Sequence, residues 1–245
     1  AVGIATDGSG NANNGDVVTL TFTASETVGT PTCTFTSGGD AMADSSITVA
    51  NPSGDQWTCK ADVADADTSG SVGFSIAFTD SAGNAGTAVS AVTDSSTVTV
   101  DNTHPTLTAV GLATDGSGNA NNGDVVTLTF TASETVGTPT CTFTSGGDAM
   151  ADSSITVANP SGNQWTCKAD VADADTNGAI GFSIAFTDSA GNAGTAVTTV
   201  TDSSSVTIDN THPTLSAVGI ATDGAGKANN GDVVTLTITA SETIG

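Results

Sequence analysis

Along several short stretches of the chain, apolar side chains alternate with Thr and other polar residues. Val18, Leu20, Phe22 and Ala24 take every second position, with Thr19, Thr21 and Thr23 between them. Trp57, Cys59, Ala61 and Val63 repeat the pattern, as do Val72, Phe74, Ile76 and Phe78. A period of two describes a strand with one face on a core and the other in water. Shorter runs at Val2/Ile4, Cys33/Phe35, Ile47/Val49 and Val98/Val100 bring the expectation to about seven strands in the first hundred residues. Clusters of Gly, Asn, Asp, Ser and Pro separate them: Asp7 to Asp16, Ser37 to Asp40, Asn51 to Gly54 and Asp80 to Asn84. These residues tolerate positive φ or bond their own backbone, so each cluster predicts a turn with a mechanism.

The pattern returns. Ala1 to Gly8 recurs at Ala109 to Gly116 and again at Ala217 to Gly224, a period of 108 residues. Solenoid units are shorter, roughly 20–45 residues. A unit near 108 residues is the size of one β-sandwich domain, and seven short alternating strands with regular turns read as immunoglobulin-like. The predicted fold is therefore all-β: tandem immunoglobulin-like β-sandwich domains in an elongated array. Residues 1–103 and 104–211 are complete repeats, and 212–245 is a partial third. The sequence starts without Met, and its third copy stops after about a quarter of a domain, so it reads as a stretch of a longer array.

Composition narrows the function. Three Lys and Arg stand against 26 Asp and Glu, a formal charge of −23. Phosphate binding requires cationic side chains, so nucleic acid is excluded as a partner. No run approaches the ~20 apolar residues of a membrane-spanning helix. The two histidines, His104 and His212, lie beside Pro between repeats, and no nucleophile has a base near it in sequence. Enzyme activity is not expected.

The succession Gly15-Asp-Val-Val-Thr-Leu-Thr-Phe-Thr-Ala-Ser-Glu26, Gln56-Trp-Thr-Cys59, Phe78-Thr-Asp-Ser-Ala-Gly-Asn84 and Val98-Thr-Val-Asp-Asn-Thr-His-Pro105 resembles the bacterial immunoglobulin-like repeats. The resemblance covers the whole chain. It implies tandem stalk domains of extracellular adhesins and surface fibres. The Cys pairs, Cys33 with Cys59 and Cys141 with Cys167, depart from the usual pattern of such repeats. Cys33 shares a face with Phe35, and Cys59 with Trp57 and Ala61, so both thiols are expected inward from opposite sheets. An internal disulfide is the expected outcome; buried thiols acting as small hydrophobes, or bridges between repeats or chains, are the alternatives.

Most carboxylates fall in predicted loops. In an immunoglobulin-like domain, the loops holding Asp7, Asp16, Asp65 and Asp67 lie at the exit end, beside Asp101. The next repeat presents Glu134 and Asp188 to the same place. These seven residues are the expected ligands of a Ca²⁺ ion, which takes six to eight oxygens. The alternative is solvated turns with diffuse counterions, since Asp and Asn favour turns on backbone grounds alone. Pro105 makes the short linker stiff rather than a flexible tether. The functional expectation is an extracellular or cell-surface structural repeat protein, a stalk or fibre, whose partner is itself in tandem or filament assembly. The alternative is an adhesive module that binds ice, sugar or a cell surface through Thr rows such as Thr19/Thr21/Thr23.

Overall fold

The computed structural model describes residues 1–43, 46–151 and 154–243, and among them there is no helix. The first repeat contains β1 (Val2–Thr6), β2 (Val17–Thr23), β3 (Thr32–Ser37), β4 (Asp40–Ala41), β5 (Thr48–Ser53), β6 (Gln56–Asp62), β7 (Gly70–Ala77) and β8 (Thr99–Val100). They form two four-stranded sheets, ordered β1-β2-β6-β5 and β4-β3-β7-β8, with every pairing between strands antiparallel. The second repeat duplicates this arrangement with β9 (Leu107–Thr114), β10 (Val125–Ala132), β11 (Thr140–Ser145), β12 (Asp148–Ala149), β13 (Thr156–Ser161), β14 (Gln164–Asp170), β15 (Gly178–Ala185) and β16 (Thr207–Ile208). The third contributes one hairpin, β17 (Leu215–Thr222) with β18 (Val234–Ala240).

Alternation sets the core. Val18, Leu20 and Phe22 of β2 face Cys59 and Ala61 of β6 and, across the sandwich, Cys33 and Phe35 of β3 and Ile76 of β7, all buried in one cluster. The second repeat buries the corresponding set, including Leu128, Phe130, Phe143 and Ile184. Cys33 on β3 is bonded to Cys59 on β6, and Cys141 on β11 to Cys167 on β14. Each disulfide therefore staples one sheet to the other through the middle of its core, and among the described residues no cysteine is free.

Two expected turns are strands instead. Asp40–Ala41 pairs with β3 as a short edge strand, and the tight turn is confined to Gly38-Gly39. Asn51-Pro52-Ser53 continues β5 through a register shift between Ala50 and Ser53, leaving only Gly54-Asp55 as the turn. Pro52 is tolerated because β5 is an edge strand, where a missing N–H leaves no ladder bond unmade.

The outer edge of β1 is closed by side chains rather than by a strand. Thr93 Oγ1 accepts from the Val2 N–H at 2.8 Å and Ser96 Oγ from the Ile4 N–H at 2.8 Å, while the Thr93 N–H donates to the Val2 carbonyl. Thr201 and Ser204 do the same for β9. Such a strap blunts an edge that another chain would otherwise pair with.

Candidate metal centre at the joint between repeats

The linker after β8 is pinned on both sides. Asn102 Nδ2 donates backward to the Ala64 and Asp67 carbonyls, at 2.8 and 3.0 Å. Pro105 is fully buried against the second repeat, and Leu107 packs on its core. Thr106 is clipped by Ser133: its N–H donates to Ser133 Oγ at 3.0 Å, and its carbonyl accepts from the Ser133 N–H at 2.9 Å. Pro fixes φ, so this attachment costs little ordering entropy.

The loop Asp188–Asn192 meets that linker. Asp188 Oδ1 accepts from the N–H groups of Ala190, Gly191 and Asn192 at 2.8–2.9 Å, and its Oδ2 from Asn192 Nδ2 at 2.8 Å. Asn192 Nδ2 also donates to the Asp101 carbonyl at 2.7 Å, so one buried amide joins the two repeats. Its Oδ1 faces Asn13 Nδ2 of the first repeat at 3.4 Å. Gly191 adopts φ +101°, and a Cβ there would press on the Asn13 amide at 3.1 Å. The close approach of the two loops thus depends on glycine.

Three of the expected ligands converge here. Carboxylate oxygens of Asp101, Glu134 and Asp188 all lie within 4.8 Å of one another, with Asp188 buried and the other two half-buried. Asp101 comes from the first repeat's exit, and Glu134 and Asp188 from two loops of the second. At such spacing each pair of like charges repels by about 1 kcal/mol in bulk water, and by a few kcal/mol at an effective dielectric of ~20. Glu134 responds: burial first, then the charges of Asp188 and Asp101, push its pKa above the ordinary glutamate value. Among the described residues no salt-bridging Lys or Arg neutralises the group. The donor set is hard oxygen throughout, the class that suits Ca²⁺ and not a thiophilic metal, although both Asp188 oxygens already accept hydrogen bonds from their own loop.

The other four expected ligands do different work. Asp67 turns inward, where its carboxylate accepts from the Ala43 and Ala64 N–H groups at 2.6 and 2.9 Å. Asp7 accepts from the Val17 N–H at 2.7 Å, and Asp16 from the Asn13 N–H at 2.9 Å, so both brace their own loop. Asp65 stays exposed and lies 3.4 Å from His104 Nε2. His104 Nδ1 sits 2.9 Å from the Ala193 carbonyl of the second repeat. That bond first, and Asp65 second, raise the pKa of His104. Asn192 was missed by the sequence reading, which looked only for carboxylates; the signal was the identical Asp-Ser-Ala-Gly-Asn at 80–84 and 188–192.

No family model matches the chain, and no curated protein matches it in sequence. Among solved structures it is similar to an I-band fragment from titin, 11% identical, with 85% of this chain and 65% of that one covered and a TM-score of 0.38. A marsupial T cell receptor is 14% identical over 91% of this chain and 78% of its own, with a TM-score of 0.43. Titin domains z1z2 in complex with telethonin are 16% identical over 85% and 95%, with a TM-score of 0.25. The chain spans just under two thirds of the length of the titin I-band fragment. Its paired sheets, cross-core disulfides and 108-residue repeat make it a tandem of immunoglobulin-like β-sandwich domains.

Proposed function

We propose that this chain is a stretch of an extracellular stalk or fibre, built from immunoglobulin-like repeats of the bacterial type and stiffened by Ca²⁺ at its joints. One observation carries the reading. The linker is laid into the next repeat, and carboxylates of both repeats are brought together at the point where the two domains meet. A spacer needs the same fold and the same joint at each step, which near-identical copies supply. The cross-core disulfides suit an oxidising setting outside the cell. Asp101, Glu134 and Asp188 would hold the ion, which would neutralise their repulsion and oppose bending at Asp101.

Single-molecule extension of the full chain tests this role. Each complete repeat should unfold separately. With its disulfide intact, each should withhold the stretch from one cysteine to the other, a sequence separation of 26, so reduction adds about 90 Å of contour at about 3.5 Å per residue. Unfolding in a single step, or at forces no higher with Ca²⁺ than with chelator, would count against a cation-stiffened stalk.

A surface-binding reading draws on the outward Thr row. Thr21 and Thr23 are exposed, and Thr21 lies opposite Thr58 on the neighbouring strand. Replacing Thr19, Thr21 and Thr23 with Lys separates the two readings, because a spacer is indifferent to the change and a surface binder is not.

A further inference from the structure

Asn192 is only 4% exposed, and every polar atom it carries is paired. Its N–H donates to Asp188 Oδ1 at 2.8 Å and its carbonyl accepts from the Asp188 N–H at 3.1 Å, which closes the loop on itself. Its side-chain amide donates once to Asp188 Oδ2 at 2.8 Å and once to the Asp101 carbonyl at 2.7 Å. Two acceptors on one side assign the amide nitrogen to that side, and the amide oxygen is left for Asn13 Nδ2. Asn84 bonds Asp80 Oδ2 in the same way within the first repeat, so the first of these bonds belongs to the loop. The second crosses the joint. Asp101 is thereby pinned along its main chain from both sides. Its N–H donates to the Ala12 carbonyl of the first repeat at 2.8 Å, and its carbonyl accepts from Asn192 of the second. Its Oδ1 also accepts from the Thr103 N–H at 3.1 Å.

We infer that Asn192 is the positioning residue of the joint: one neutral amide sets Asp188 and Asp101 in register, and with them two of the three carboxylates that converge there. The chemistry of the place selects this side chain. It must reach two oxygen acceptors at once from a short stem, and it must add no charge to a group that already repels itself. Asp has the same shape but would set oxygens against oxygens. Ala would leave the buried Asp188 Oδ2 and the Asp101 carbonyl each with a bond unmade. The inference rests on the cation-stiffened joint proposed above and names the residue that arranges its ligands.

The test follows hydrogen exchange of the Thr106 amide by NMR in the intact, oxidised chain, in chelator and through a Ca²⁺ titration, for the native protein, Asn192→Ala and Asn192→Asp. In chelator Asn192→Ala should lower Thr106 protection about two- to tenfold, the loss of one neutral hydrogen bond across the joint, and Asn192→Asp at least as much. Both variants should need more Ca²⁺ than the native chain to restore it. A site that held calcium by charge alone gives the opposite sign, because Asn192→Asp adds a fourth carboxylate and lowers the calcium required. The Ala190 amide, bonded to Asp188 Oδ1, reports the loop in the same spectra. Thr106 protection unmoved by Asn192→Ala overturns the assignment, as does a lowered calcium requirement in Asn192→Asp. Protection lost at Ala190 as far as at Thr106 also overturns it, since Asn192 would then build only its own loop. If calcium moves Thr106 in none of the three proteins, the cation reading falls, while the comparison in chelator still decides for or against Asn192.

Discussion

At the residue scale, a few side chains decide whether the domain holds and whether the joint is strained. The Cys33–Cys59 bond closes a 26-residue loop, for which chain entropy gives about 3–4 kcal/mol of stabilisation. Reducing both disulfides should lower the urea unfolding midpoint and steepen the slope, because the uncrosslinked chain unfolds to a more expanded state; an unmoved midpoint would show that packing alone holds the sheets together. Glu134 is the second such residue. Its pKa is raised in the folded chain, so its contribution is fully present below the unfolded value and is lost as pH rises through the folded one. In chelator the joint should therefore be firmer near pH 5 than at pH 7. Glu134→Gln should shrink that difference, read as hydrogen-exchange protection of the Thr106 amide, and leave the share that His104 contributes through Ala193. The same pH dependence in the variant would assign the cause to His104 alone.

At the element scale, strands were legible in the sequence wherever a two-residue period ran long enough. Val18, Leu20 and Phe22 are buried as the alternation requires, and the thiols of Cys33 and Cys59 meet across the core. Pro52 misled because composition does not reveal which strand lies at an edge. Asp7, Asp16 and Asp67 are taken up by loop N–H groups for a related reason. A carboxylate in a loop first satisfies the nearest unpaired N–H groups, and those become visible only once the loop has its shape. Asp101, Glu134 and Asp188 were legible because domain topology alone carries them to one end. Glycine spacing hid another constraint. Gly178 opens β15 at φ +143°, and a Cβ there would stand 2.7 Å from the Cα of Gly146 in the turn after β11. Gly178→Ala should cost about 2–3 kcal/mol through collision of two backbones. Thermal unfolding checks this, and an unchanged Tm would mean that the turn yields.

At the scale of the whole molecule, the repeat matters more than any single site. The joint at 102–107 buries Pro105, clips Thr106 and ties Asp101 to Asn192, and where the same residues recur at 210–215 the clip is made again between Thr214 and Ser241. The charge of −23 keeps neighbouring chains apart except where specific surfaces meet. It also leaves the three carboxylates at the Asp101 joint with no Lys or Arg beside them among the described residues, which is why the proposed stalk calls for a cation there. Small-angle X-ray scattering of the full chain, in millimolar Ca²⁺ and then in chelator, tests this most directly. The account predicts an extended particle in calcium that bends, with a shorter maximum dimension, when the ion is removed. A compact particle in both conditions, or an identical extended one in both, would contradict a stalk whose joints are set by calcium.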